Sequence, residues 1–127
     1  MSTLPPSSIP NDYQALGDEL RRRFVPSAAV GYDHLIDLDT GSAPLIRLRI
    51  RNQQLALSFA AAETANPKAD VRFYFPNLHI GRALLLGEAD AIDAFMNGHF
   101  RSDGHLMLSF ALMAMFNSTS LPPTPND

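Results

Sequence analysis

Cysteine is absent from all 127 residues. That excludes disulfides, zinc–thiolate sites, iron–sulfur clusters and cysteine nucleophiles. A basic surplus is missing too: 10 Lys and Arg stand against 13 Asp and Glu, a formal net charge of −3. General nucleic-acid binding leaves a clear basic excess, so no nucleic-acid partner is expected. The opening stretch MSTLPPSSIP has neither the basic nor the apolar region of a secretory signal. No apolar run reaches the roughly 20 residues that a bilayer-spanning helix requires. The expectation is a soluble cytoplasmic protein.

What is present is a globular composition, 46% hydrophobic and 18% charged, with the length of one domain. Six of the ten prolines lie at the ends (Pro5, Pro6, Pro10, Pro122, Pro123 and Pro125) among Ser, Thr and Asn. Residues 1–10 and 118–127 are therefore expected to be flexible tails around a domain over 11–117. Pro26, Pro44, Pro67 and Pro76 fall between periodic segments, where chain breakers belong.

Tyr13, Leu16, Leu20 and Phe24 recur at helical spacing, which predicts a first helix over 11–24 with Asn11 or Asp12 as cap. Arg21, Arg22 and Arg23 suit the negative end of its dipole. Three strand-like runs follow. Tyr32, His34, Ile36 and Leu38 share one face of the first, with Asp33, Leu35, Asp37 and Asp39 on the other. In the second, Ile46, Leu48 and Ile50 alternate with Arg47, Arg49 and Arg51. In the third, Leu55, Leu57 and Phe59 alternate with Ala56 and Ser58, after a tight Asn52–Gln53 connection. These runs predict an antiparallel meander with one wet face. Val71, Phe73 and Phe75 mark a fourth strand.

Asn77 is a cap for a short helix that carries Ile80, Leu84 and Leu85 and stops at Gly87. Ile92, Phe95 and Met96 form a second short helix that ends at Asn97–Gly98. A short strand, HFRSD, precedes Gly104. The expected class is α+β, with helices packed on one face of a mainly antiparallel sheet.

The last segment, HLMLSFALMAMF over 105–116, differs from the rest. Only His105 and Ser109 are polar, and the bulky apolar residues surround the whole helix. Such a helix needs cover on every side. A neighbouring helix, a partner subunit or a bound apolar molecule could each provide it. Met96, Met107, Met113 and Met115 add flexible, polarizable surface of the kind used against variable partners.

The segments ADVRFYF and FMNGHFRSDGHLMLSFALMAMF resemble the sterol carrier protein (non-specific lipid-transfer) family, as in a divergent bacterial-type member. Ala69, Asp70 and Val71 match its strand opening. Phe95, Met96 and Gly98 match its Phe-Met-x-Gly turn, and the match runs on through Gly104 and Leu108. Ser102 stands where the family has an apolar residue, and His105 where it has an acidic one. The resemblance implies a five-stranded sheet covered by helices that enclose an apolar cavity for a lipid-like ligand. Fatty acyl chains, sterol-like molecules and isoprenoid or quinone compounds are the ligand classes it implies. Leu48, Leu57 and Phe73 from the sheet, with Leu85, Phe95, Met96, Leu106, Phe110, Met113 and Met115 from the helices, are the expected lining.

Binding rather than catalysis is expected, with no cofactor. His34, His79, His99 and His105 lack HxH, HxxxH and HExxH spacing, which leaves a metal site without support. No nucleophile elbow or phosphate loop is present. His34 reads as a hydrogen-bonded core residue. His105 beside Asp103 is the candidate for a lipid head group, or for acyl-thioester chemistry on a third reading. Arg47, Arg49 and Arg51 read as a solvated face paired with Asp37 and Asp39. Arg21, Arg22 and Arg23 are candidates for transient contact with an anionic membrane. The rival to lipid binding is an assembly module that docks a partner subunit, or forms a homodimer, through the final helix.

Overall fold

The computed structural model describes residues 9–42, 44–61, 68–104 and 106–116. Its element order is α1 (Asn11–Arg23), a 3-10 turn (Pro26–Ala29), β1 (His34–Asp39), β2 (Leu45–Arg51), β3 (Gln54–Ala60) and β4 (Val71–Tyr74). There follow α2 (Leu78–Leu85), α3 (Ala91–Met96), β5 (Arg101–Ser102) and α4 (Leu106–Ala114). The fold is α+β, as expected.

The five strands form one sheet in the order β3-β2-β1-β4-β5. β1, β2 and β3 make the expected antiparallel meander, joined between β2 and β3 by Asn52 and Gln53 at φ 55° and 61°. Two positive-φ residues are what a two-residue hairpin turn demands. The sheet is mixed rather than wholly antiparallel, because β4 pairs with β1 in parallel. β2 already occupies one edge of β1. The chain leaving β3 therefore crosses over to the free edge and arrives in the direction of β1.

The register sorts side chains into two faces. Val71, Ile36, Leu48 and Leu57 form one row across β4, β1, β2 and β3, and Phe73, Leu38, Ile46 and Phe59 form the next. Ile36, Leu38, Ile46, Leu48, Val71 and Phe73 from these rows are buried in the core that Tyr13, Leu16 and Leu20 of α1 join. α1 lies close on β3: a Cβ at Gly17 would stand 3.1 Å from Leu57 and 3.2 Å from the Phe59 ring. A side chain there would require Leu57 and Phe59 to give way by a few tenths of an ångström.

The other face is not uniformly wet. Leu35, Asp37, Leu45 and Arg47 are all buried on it. Arg47 meets Asp37 directly across the strands, so the expected pairing is present. It forms inside a low-exposure layer rather than in solvent. Asp70 helps to close this side, since its backbone N–H donates to the Leu35 carbonyl and its carboxylate accepts from the Leu35 N–H.

Caps follow the sequence in part. Asn77 Oδ1 accepts from the Ile80 N–H at 2.8 Å, and Asp90 caps α3. At α1, however, Pro10 rather than Asn11 or Asp12 occupies the N-cap, and Asp12 instead accepts from the Tyr13 N–H at 2.9 Å. The Gln14 N–H already reaches the Pro10 carbonyl, which places Asn11 and Asp12 inside the first turn. There Asp12 still complements the dipole.

Candidate functional site

The helices α2, α3 and α4, with β5, form the part of the molecule where the expected lining residues gather. Leu48 and Phe73 lie buried on the inner sheet face, and Leu57 is half-buried near α1. Leu85 of α2 is buried in the core. On α4, Leu106 and Phe110 are half-buried, whereas Met113 and, just past the helix end, Met115 are buried. Phe95 and Met96 of α3 lie at the surface.

The surface of α3 departs from its sequence pattern. Ala94 is its buried residue, while Ile92 is 65% and Met96 77% exposed. α3 meets the core through Ala94 and Ala91, and the Phe95 ring meets Phe100 edge-on at 6.3 Å. Phe100 is the hub here, fully buried against Phe73 at 5.8 Å and stacked on Phe75 at 5.5 Å. Phe100 is absent from the lining expected from sequence. The alternation of Phe100 and Ser102 with Arg101 and Asp103 was the available signal.

α4 is covered on one side only. Ser109, Leu112 and Met113 face inward, yet Met107 is 71% exposed and Ala111 is exposed as well. The domain itself therefore covers only part of this apolar helix, and the rest meets solvent. Its placement depends on two long-range bonds. The Tyr32 hydroxyl donates to the Leu108 carbonyl at 3.0 Å, and the Val25 N–H donates to the Met115 carbonyl at 2.7 Å. Burial, with help from the Asp70 carboxylate, holds the Tyr32 phenol well above its ordinary pKa. Phe116 closes the end of the segment against Phe24, ring centroids 5.9 Å apart.

Three cavities among the described residues are bordered by other side chains. One of 440 Å³ lies between Arg21, Phe24 and Leu55, and one of 200 Å³ beside Arg49, Arg51 and Asn52. One of 240 Å³ lies on the outer sheet face, beside Asp37, Arg72 and Asp103.

His34 sits at the rim rather than in the core, with Nδ1 3.5 Å from Asp70 and its ring edge-on to Tyr32. His105 lies outside the described residues. Asp103 is committed to the backbone, where its carboxylate accepts from the Arg72 N–H at 2.7 Å. No group of three potential metal ligands occurs among the described residues. No described helix is long and apolar enough to cross a membrane.

Comparison of the sequence with protein-family models and with characterised proteins finds no match. Solved structures do match. A ubiquinone-synthesis protein, UbiJ-SCP2, is 13% identical with a TM-score of 0.62, over 87% of this chain and 89% of that one. The sterol carrier protein domain 2 of Helicoverpa armigera is 13% identical with a TM-score of 0.60, over 88% and 89%. The chain has the sterol carrier protein 2 fold. A further match is to the sec-alkylsulfatase Pisa1 from Pseudomonas sp., 23% identical with a TM-score of 0.66. It covers 83% of this chain, and this sterol carrier-like domain spans only 16% of the alkylsulfatase.

Proposed function

We propose that this domain binds and carries a lipid-like molecule, with α3 and α4 as the elements that admit it. One observation carries the reading: Ile92, Met96 and Met107 present bulky apolar side chains to solvent on α3 and α4. Covering a side chain of this kind is worth roughly 1.5–3 kcal/mol, so an acyl or isoprenoid chain laid over all three is favoured by several. Helices of six and nine residues are marginal by themselves and depend on packing for their stability. They can therefore shift as units, which exposes Phe95, Leu106 and Phe110 to the ligand while Leu48, Leu57 and Phe73 form the floor. Leu85, Met113 and Met115 complete the proposed lining. The likeness to sterol carrier protein 2 structures supports this reading at the level of fold.

The mechanism is passive: a chain enters, the helices close over it, and no bond is made or broken. Fatty acyl, sterol-like and isoprenoid or quinone tails all fit such a surface, because apolar burial has no directional demand. The protein is proposed to act in the cytoplasm. Membrane contact through Arg21, Arg22 and Arg23 is weakened by their pairing with Asp18 and Glu19.

Denaturing extraction and mass spectrometry of the purified protein test the proposal. A co-purified lipid, or saturable uptake of a fluorescent fatty acid that Met107→Asp weakens, is the expected result. A lipid-free extract from protein that binds no such probe overturns it. A dimer that Met107→Asp dissociates, with no lipid uptake, favours the assembly reading instead.

A further inference from the structure

The 240 Å³ cavity on the outer sheet face is lined by Asp37, Lys68, Ala69, Arg72, Tyr74 and Asp103. It stands on the side of the sheet away from the core rows. By register, Arg72 shares its row with Asp37 and Arg47, and Tyr74 shares the next with Asp39 and Arg101. At ~30 Å³ per water, it has the room of roughly eight waters. We propose that this cavity binds a small oxyanion, a phosphate or a group of the same shape and charge. The proposal is independent of the lipid reading, which concerns the opposite face.

The bonding around the cavity leaves more donors than acceptors free. Asp37 is engaged on both oxygens: Arg47 Nε donates to Oδ1 at 2.9 Å and an Arg47 Nη to Oδ2 at 3.2 Å. Asp103 has one oxygen occupied by the Arg72 backbone N–H. The Arg72 guanidinium, by contrast, approaches Asp37 only to 3.9 Å, beyond hydrogen-bond range. Among the described residues it makes no side-chain hydrogen bond. Neither does the Lys68 ammonium or the Tyr74 hydroxyl.

Charge points the same way. The lining holds two carboxylates, Asp37 and Asp103, and two cations, Arg72 and Lys68, and Asp37 is already bonded twice to Arg47. The Arg101 guanidinium, 5.9 Å over the Tyr74 ring, adds a further cation at the edge. An oxyanion would meet a guanidinium whose planar fork matches two of its oxygens, with an ammonium and a phenol for the others. Partial enclosure strengthens those contacts relative to open solvent, and the sheet backbone holds Arg72 and Tyr74 in fixed register.

The test is an NMR titration of the full chain with inorganic phosphate at pH 7.5, against sodium chloride at matched ionic strength. Saturable shifts at the Ala69, Arg72, Tyr74 and Asp103 amides are expected with phosphate and not with chloride. Arg72→Gln should weaken binding tenfold or more, and the exposed Lys68→Gln several-fold. Arg49→Gln, on the same face outside this cavity, should stay within twofold. Where Arg72→Gln fails to fold, Lys68→Gln decides. Hexyl phosphate, run in parallel, separates sources: tighter binding at the same amides identifies an amphiphile's head group, and equal binding a free oxyanion. Shifts that do not saturate, that chloride reproduces, or that Arg49→Gln diminishes as much as Lys68→Gln, overturn the proposal.

Discussion

Arg47 of β2 grips Asp37 of β1 through two hydrogen bonds, with side chains only 8% and 1% exposed. Removing one partner strips the other, still buried, of both of these bonds. Asp37→Ala is expected to cost about 3–5 kcal/mol in urea unfolding. The double substitution Asp37→Leu with Arg47→Met should recover much of that loss, because apolar packing replaces the pair without stranding a charge. A double variant no more stable than Asp37→Ala would show that the pair is more than a self-compensating unit.

Tyr32 connects β1 to α4 through the Leu108 carbonyl, a bond between residues 76 positions apart. Tyr32→Phe is expected to lose about 1 kcal/mol at neutral pH. Because the folded state raises the Tyr32 pKa above the ordinary 10.0, the neutral phenol contributes stability that is fully present below pH 10. That contribution is lost as pH rises above the unfolded value towards the folded one. The stability gap between wild type and Tyr32→Phe should therefore narrow above pH 10. Urea midpoints from pH 8 to 11 measure it, and a gap that widens contradicts the burial of this hydroxyl.

Gly41 turns the chain at φ +82°, and a Cβ there would stand 2.9 Å from the Pro76 carbonyl oxygen. Gly41→Ala carries both the left-handed backbone penalty and a collision with fixed backbone. About 1–3 kcal/mol is expected. Gly31 has a similar φ of +78° and open space around it, so Gly31→Ala isolates the backbone cost. Gly41→Ala should be the worse of the two by thermal or chemical denaturation.

Ile92 and Met107 are exposed, so replacing both with Asp should change stability by no more than about 0.5 kcal/mol per site. Uptake of a fluorescent fatty acid should nevertheless fall at least tenfold. Leu112→Ala, at a fully buried position of α4 outside the proposed lining, should instead destabilise by about 2–5 kcal/mol. Equal effects of both kinds of variant on uptake would point to unfolding rather than to loss of a binding surface.

Alternating apolar residues placed β2 and β3 to within a residue, because a half-buried strand imposes a period of two on its side chains. The Asn52–Gln53 turn and the Asn77 cap were legible for similar local reasons. Pattern could not tell which edge of β1 would receive β4, since no local feature of Val71–Tyr74 encodes its neighbour. Nor could it tell which apolar residues of a short helix turn inward. On α3 the small Ala94 is buried and Ile92 and Met96 are not, because the helix turns its alanine side to the core.

The sequence by itself determined the class of the fold, the meander, the caps of the short helices and the uniformly apolar character of α4. These follow from backbone preference and burial period, which act over a few residues. Tertiary structure alone decided that Asp37 and Arg47 are buried, that Arg72 and Lys68 border one cavity, and that α4 leaves Met107 in solvent. Those outcomes depend on which distant segments come to lie over a side chain, and hydrophobicity has no direction with which to specify that in advance.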